Sequence, residues 1–185
     1  ARIMGNIFYS LGVLPSNRLL EVTRKDLVEG YVGQTATKTA RVVKRAVGGV
    51  FFIDEAYSLM GDNFGQEATN TILPMLLDYK GKMVCIAAGY PREIRQWIDT
   101  NSGLESRFTK VIHFEDYNPD ELAQIFRMKA KKDKLTLTPE AENAMRVYFT
   151  DLYNRRERNF ANAREVNNYF DRVKKNQSSR LRHEM

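Results

Sequence analysis

The sequence is poor in residues that build covalent or metal frameworks. Of 185 residues, one is cysteine and two are histidine. Cys85 stands alone in the apolar run MVCIAA, so no disulfide framework and no paired-thiol metal spacing exists. His113 and His183 are equally isolated, and two separate histidines make no metal site. No apolar run approaches the ~20 residues of a membrane span. The first residues lack the charge, greasy core and small-residue cleavage site of a secretory leader. A reducing, cytoplasmic setting without a membrane is therefore expected. The net charge of +6, with basic residues concentrated after Lys129, gives a nucleic-acid partner only weak support. What remains is a chain with 43% hydrophobic residues, enough for a core domain and a small appendage.

Apolar residues and turn signals alternate in a helix and strand rhythm. Ile3, Met4, Ile7, Phe8 and Leu11 recur at helical spacing, and Gly12 closes that helix. Leu19 to Val22 reads as a strand. After GYVGQT, a second helix carries Ala36, Ala40, Val43 and Val47 on one face and ends at Gly48 and Gly49. Val50 to Ile53 is continuously apolar, the mark of a strand buried on both faces. A helix from about Gln66 to Leu77, a strand Met83 to Ala88, a helix around Arg92 to Asp99 and a strand Lys110 to Phe114 complete an α/β pattern with a parallel sheet. Beyond Tyr117 three helical stretches follow, near Asp120 to Lys132, Pro139 to Asn154 and Ala163 to Lys175. They predict a small all-α subdomain, so the expected division is an α/β core over 1–117 and a helical lid over 118–185. Tyr148, Phe149, Tyr153, Phe160, Tyr169 and Phe170 read as lid core and interface, and Arg155, Arg156 and Arg158 as a solvated face.

The run VFFI leads directly into two adjacent acids, Asp54 and Glu55. In open parallel sheets ligands bind at the carboxyl ends of the strands, which is where these acids fall. Two carboxylates there suit nucleotide hydrolysis: one holds Mg²⁺ through its water shell, and the next orients or deprotonates the attacking water. The same pair also fits a plain strand end, with Asp54 opening a turn and Glu55 solvated.

VFFIDEA resembles the Walker B motif of AAA+ ATPases. Its continuation DEAYSL, with GQEA at Gly65 to Ala68, is similar to the group that contains the red-type Rubisco activase CbbX and stage V sporulation protein K. Further elements follow in that family's order. GYVG at Gly30 to Gly33 resembles the substrate-gripping pore loop, which assigns Tyr31 and Val32 to that role. GLESRF at Gly103 to Phe108 resembles the segment of the arginine finger, here Arg107, and NAREV at Asn162 to Val166 resembles the sensor 2 start of a lid helix, here Arg164. The resemblance implies an AAA+ parallel sheet with an all-α lid, ATP and Mg²⁺ as cofactors, and a homo-oligomeric ring, a hexamer. Such a ring couples ATP hydrolysis to remodelling or threading of a protein substrate.

Each assignment has a plainer counterpart. Tyr31 could pack on its own domain, Arg107 could be a surface ion pair, and Arg164 could be a tolerated surface arginine. Against that last reading, Arg164 would open a helix capped by Asn162 with Glu165 completing a capping box, where a cation opposes the helix dipole unless an anion meets it. Two departures stand out. The strand at Met83 to Ala88 ends in Gly89 and Tyr90, which leaves sensor 1 unassigned. No G-x-x-x-x-G-K-[ST] phosphate loop occurs in the sequence, GQTATKT at Gly33 to Thr39 being a decoy without the second glycine. The chain reads as starting just after that loop and lacking the first strand. The resemblance places that strand between those at Met83 to Ala88 and Lys110 to Phe114, whose facing edges would then be unpaired. The alternative functions are a nucleotide-incompetent AAA+ scaffold and, with less support, a nucleic-acid-binding domain.

Overall fold

The computed structural model describes residues 1–31, 33–156 and 160–183. They form two compact units, Ala1–His113 and Phe114–Met185. None of the described helices is long and apolar enough to cross a membrane.

The first unit is organised by a parallel three-stranded sheet: β1 (Leu19–Val22), β2 (Val50–Ile53) and β3 (Val84–Ala87), in that spatial order. The register sets Leu19 against Val50 and Val50 against Val84. β2 lies in the middle because its sequence is apolar on both faces. Val50, Phe51 and Ile53 are fully buried. Among the described residues this unit also contains six α-helices: α1 (Arg2–Ser10), α2 (Arg24–Leu27), α3 (Gln34–Ala46), α4 (Asn63–Asp78), α5 (Pro91–Asp99) and α6 (Ser102–Arg107).

The buried face of α3 differs from the alanine and valine stripe expected. It consists of Thr35, Thr39, Val42, Val43 and Ala46. Two threonines can be buried because both are satisfied. The Thr39 hydroxyl donates to the Leu27 carbonyl at 2.9 Å, and the Thr35 hydroxyl accepts from the Glu29 amide at 3.0 Å.

The strand expected over Lys110 to Phe114 does not form. Val111, Ile112 and Phe114 are 84%, 65% and 85% exposed. A strand exists only through its neighbour's hydrogen bonds, and among the described residues β3 pairs with β2 alone. Among the described residues the apolar pattern of KVIHF joins no sheet edge. Cys85, on β3, is half-buried, and desolvation pushes its thiol up to about 12.

The second unit contains α7 (Pro119–Lys132), α8 (Pro139–Asn154) and α9 (Ala163–His183). A capping box opens α7: Asn118 accepts from the Glu121 amide at 3.0 Å, and Glu121 accepts from the Asn118 amide at 2.8 Å. The core joins Leu122, Phe126, Met145, Phe149, Val166 and Phe170, with Tyr148 and Tyr169 stacked 4.0 Å apart against it. Tyr153 instead carries the Arg156 guanidinium 3.7 Å above its ring. Arg155 pairs with Asp151, while Arg158 lies outside the described residues.

Asp116 and Tyr117 belong with this second unit. The Tyr117 amide donates to Asn162 Oδ1 at 2.7 Å, and Asn162 Nδ2 donates to Asp116 Oδ1 at 2.6 Å. These bonds overturn the expected capping box at α9. Asn162 is left-handed, at φ 48°, and its amide holds the segment before α7 rather than the helix start.

Glu142 on α8 bonds Arg127 on α7 through Nε at 2.7 Å and through Nη2. Arg127, and then Arg146, hold its carboxyl below the ordinary 4.5. A depressed carboxyl contributes stability that is fully present above the ordinary value and is lost as pH falls through the folded one. The urea midpoint of the lid should thus hold from pH 7 to 5 and drop below about 4.5. Glu142→Gln should lower the neutral plateau and flatten that acid limb, as read by circular dichroism across the pH series.

Candidate functional site

The sheet places both acids. The β1–β2 ladder runs one residue past the strand, with the Asp54 amide donating to the Val22 carbonyl at 2.8 Å. The Ala88 amide donates to the Ile53 carbonyl at 2.9 Å. Asp54 is therefore fixed at the carboxyl edge of the central strand, half-buried, with the ends of β1 and β3 on either side. Its Oδ1 accepts from the Glu55 amide at 3.1 Å.

The chain then reverses. Glu55 is left-handed (φ 49°, ψ 46°) and opens a 3-10 turn, Ala56–Leu59. For a residue with a side chain this conformation costs roughly 1–3 kcal/mol, and it persists only where the surroundings impose it. Here they do. The Ala56 amide donates to the Ala88 carbonyl at 3.0 Å, and the Ser58 amide to the Glu55 carbonyl at 2.8 Å. Arg24 braces the far side, with Nη1 donating to the Ser58 carbonyl at 2.8 Å and Nη2 to Asp62 Oδ2 at 2.6 Å. Asp62 also caps α4 by accepting from the Gly65 amide at 2.8 Å. That backbone bond, and then Arg24, hold its carboxyl below the ordinary range. Gly65 is required by contact: a Cβ there would lie 2.3 Å from the Leu59 carbonyl oxygen and 2.6 Å from Arg24 Nη1. Glu55 itself is exposed, and the half-buried Tyr57 phenol two residues on has its ionisation pushed up, first by desolvation and then by the Glu55 charge.

Arg107, at the end of α6, is no surface ion pair. Its Nε donates to the Leu73 carbonyl at 2.9 Å, and its Nη1 to the Gly103 carbonyl at 3.1 Å and to Ser106 Oγ at 2.9 Å. Nη2 bonds none of the described residues, and Arg107 makes no ion pair with Asp54 or Glu55. The next residue, Phe108, packs on buried Trp97 with ring centroids 5.6 Å apart.

Tyr31 is 74% exposed, so it does not pack on its own domain. Val32 lies outside the described residues. The base of this loop is tied down. Lys38 Nζ donates to the Lys25 and Val28 carbonyls, both at 2.9 Å, and Glu67 of α4 accepts from the Ala36 amide at 3.3 Å. Arg164 is exposed in the first turn of α9, in the second unit. Sequence reasoning overlooked Arg24 and Lys38. Glu67 lay within a quoted motif, but nothing in the string says what a side chain will bond.

Known sequences decide the family. Residues 4–116 match the profile of the ATPase family associated with various cellular activities (AAA), and residues 118–185 match the AAA lid domain. The chain belongs to the AAA family. Among AAA relatives, the chloroplastic ribulose bisphosphate carboxylase/oxygenase activase of Cyanidioschyzon merolae is 40% identical over 186 residues, covering 98% of this chain and 62% of that protein. Protein CbbX of Cereibacter sphaeroides is 40% identical over 182 residues, covering 96% of this chain and 58% of that protein. The ESX-1 secretion system protein EccA1 of Mycobacterium tuberculosis is 44% identical over 147 residues, 76% of this chain and 26% of that protein. The chain thus spans about three fifths of its activase and CbbX relatives.

AAA membership implies a nucleotide, typically with Mg²⁺, and the donor set fits that ion. Among the described residues no group of three or more His, Cys, Asp or Glu encloses a metal. A pair of carboxylates at a strand end suits a hard cation that keeps most of its ligands as water and phosphate oxygens.

Because Gly65 lies against the turn that carries the acids, Gly65→Ala should destabilise the α/β unit by about 2 kcal/mol or more. Chemical denaturation followed by Trp97 fluorescence would measure the loss.

Proposed function

We propose that this chain is the Walker B, arginine-finger and lid portion of an AAA+ ATPase. That ATPase couples ATP binding and hydrolysis to remodelling or threading of a protein substrate in a homo-oligomeric ring, a hexamer. The observation that carries the reading is the pair Asp54 and Glu55, mounted on a braced, backbone-strained turn at the carboxyl edge of the central parallel strand. Strain maintained at an exposed acid beside a half-buried one is what a preorganised site requires and what a plain strand end does not.

In this reading Asp54 holds Mg²⁺ through its water shell, and the ion supplies charge neutralisation at the phosphates. Glu55 accepts the proton of the attacking water. Arg107 serves a neighbouring subunit's site: two of its nitrogens are occupied by carbonyls and a hydroxyl, which leaves Nη2 to meet phosphoryl charge from outside. Arg164 serves in this reading as the sensor 2 cation: it is exposed in the first turn of α9, where a cation opposes the helix dipole unless an anion meets it. Tyr31, together with Val32, grips the substrate polypeptide. An exposed aromatic on a loop anchored at its base by Lys38 and Glu67 supports that role. The Cyanidioschyzon merolae relative's name, an activase of ribulose bisphosphate carboxylase/oxygenase, does not identify this chain's substrate.

In the full-length protein, Glu55→Gln should retain ATP binding and lose hydrolysis by about 100-fold or more, because the amide cannot take the proton. Asp54→Ala should instead weaken Mg²⁺-dependent nucleotide binding. Turnover that survives Glu55→Gln would remove the assignment of the base, and absence of any turnover in the parent would favour the scaffold alternative. A subunit-mixing assay checks the arginine: rings combining Arg107→Ala with Glu55→Gln subunits should regain part of the activity that each lacks alone. Failure to recover in verified mixed rings would assign Arg107 to its own subunit.

A further inference from the structure

Arg107 reaches one of its acceptors against the geometry of its own helix. Successive residues on a helix point about 100° apart and do not face each other. Yet the Arg107 guanidinium meets the hydroxyl of Ser106, the residue immediately before it, at 2.9 Å. The side chain bends back over the end of α6 to do so, and there Nη1 also meets the Gly103 carbonyl and Nε the Leu73 carbonyl of α4.

The seat beneath the guanidinium joins two helices. Gly103 brings α6 close against α4: a Cβ on it would stand 3.0 Å from Leu73 Cδ1 and 2.9 Å from Asn101 Oδ1. Asn101 caps α6 by accepting from the Gly103 amide at 2.8 Å, and its Nδ2 donates to Asn70 Oδ1 of α4 at 3.3 Å. The Leu73 and Gly103 carbonyls therefore belong to a backbone already held together. Of the three acceptors around Arg107, only Ser106 contributes a side chain. Its hydroxyl donates to the Gly103 carbonyl at 3.0 Å, so its hydrogen is committed and its lone pairs are left for the guanidinium. An arginine, which can only donate, requires a hydroxyl oriented in that sense.

The guanidinium is planar, so fixing Nε and Nη1 leaves one direction for Nη2. Leu73 holds Nε. Nη1 is held by Gly103 and Ser106 together, and Ser106 is the shorter contact, 2.9 Å against 3.1 Å. We propose that Ser106 is a positioning residue for Arg107: its hydroxyl locks the guanidinium onto α6 so that Nη2 keeps the direction in which it meets the phosphoryl charge of a neighbouring site. The inference rests on Arg107 being the finger. Ser106 is assigned no contact with the nucleotide and acts through the arginine alone.

ATP hydrolysis by the full-length protein tests it, followed with radiolabelled nucleotide so that slow rates are measurable. Ser106 is exposed, so its substitution leaves the core intact, which equal melting temperatures would verify. Ser106→Ala should lower turnover about tenfold with the ATP KM within about twofold, the split expected when transition-state contact rather than binding is lost. Arg107→Ala should cost roughly 1,000-fold. Ser106→Thr should return turnover to within about twofold of the parent, because it restores the hydroxyl. In an Arg107→Ala background Ser106→Ala should cost nothing further, since the group it positions is gone. Parental turnover in Ser106→Ala would overturn the proposal and leave Arg107 as the finger. Equal losses in Ser106→Ala and Ser106→Thr, or a further loss on top of Arg107→Ala, would overturn it too, by giving Ser106 a role other than its bond to the arginine. Parental turnover in Arg107→Ala, or none in the parent, would instead remove the finger reading and this inference with it.

Discussion

The pairing of β2 with a parallel neighbour on each side is the constraint on which the first unit depends. Four apolar residues, Val50 to Ile53, have their backbone groups shared with β1 and β3 and their side chains packed on both faces. The ladder continues past the strand to the Asp54 and Ala88 amides. The consequence is positional accuracy for whatever follows. An acid attached to a loop would wander, whereas an acid attached to the end of this strand inherits the stiffness of the core.

Beyond that point rigidity comes from a different source. The turn after Glu55 is held in an unfavourable backbone conformation by bonds from two separate elements, Ala88 after β3 and Arg24 of α2, and Asp62 at the start of α4 fixes Arg24 in turn. Arg24 is the shared member, since one guanidinium meets both the turn and the helix cap. Its planar fork suits that double task in a way a lysine ammonium does not. Asp62 and Gly65 act through the same junction, one as acceptor and one by its small size.

Much of this was legible in the sequence, for identifiable reasons. The buried strand Val50 to Ile53, the acids after it and the helices of the lid all follow from hydrophobic period and turn chemistry, which are local properties. The misreadings involve partners. KVIHF has the composition of a strand, but composition does not supply a neighbour, and those residues stand exposed. Asn162 has the type and spacing of a helix cap, yet an amide both donates and accepts, and Asp116 and Tyr117, about 45 residues earlier, took both capacities. On α3 the alanines looked like core and the threonines did not, because hydropathy cannot know that the Leu27 carbonyl and the Glu29 amide await those hydroxyls.

Arg107 illustrates what such partnering does to a long side chain. A free arginine explores many rotamers and must surrender them when it meets an anion, which offsets part of the attraction. Here the carbonyls of Leu73 and Gly103 and the hydroxyl of Ser106 have already confined the guanidinium. Those acceptors are neutral, so the positive charge is not cancelled by an acid and stays available. The side chain is thereby ordered in advance without being neutralised. An incoming anion meets a cation whose geometry was settled when the domain folded, and the cost of arranging it falls on the stability of α4 and α6 rather than on the encounter.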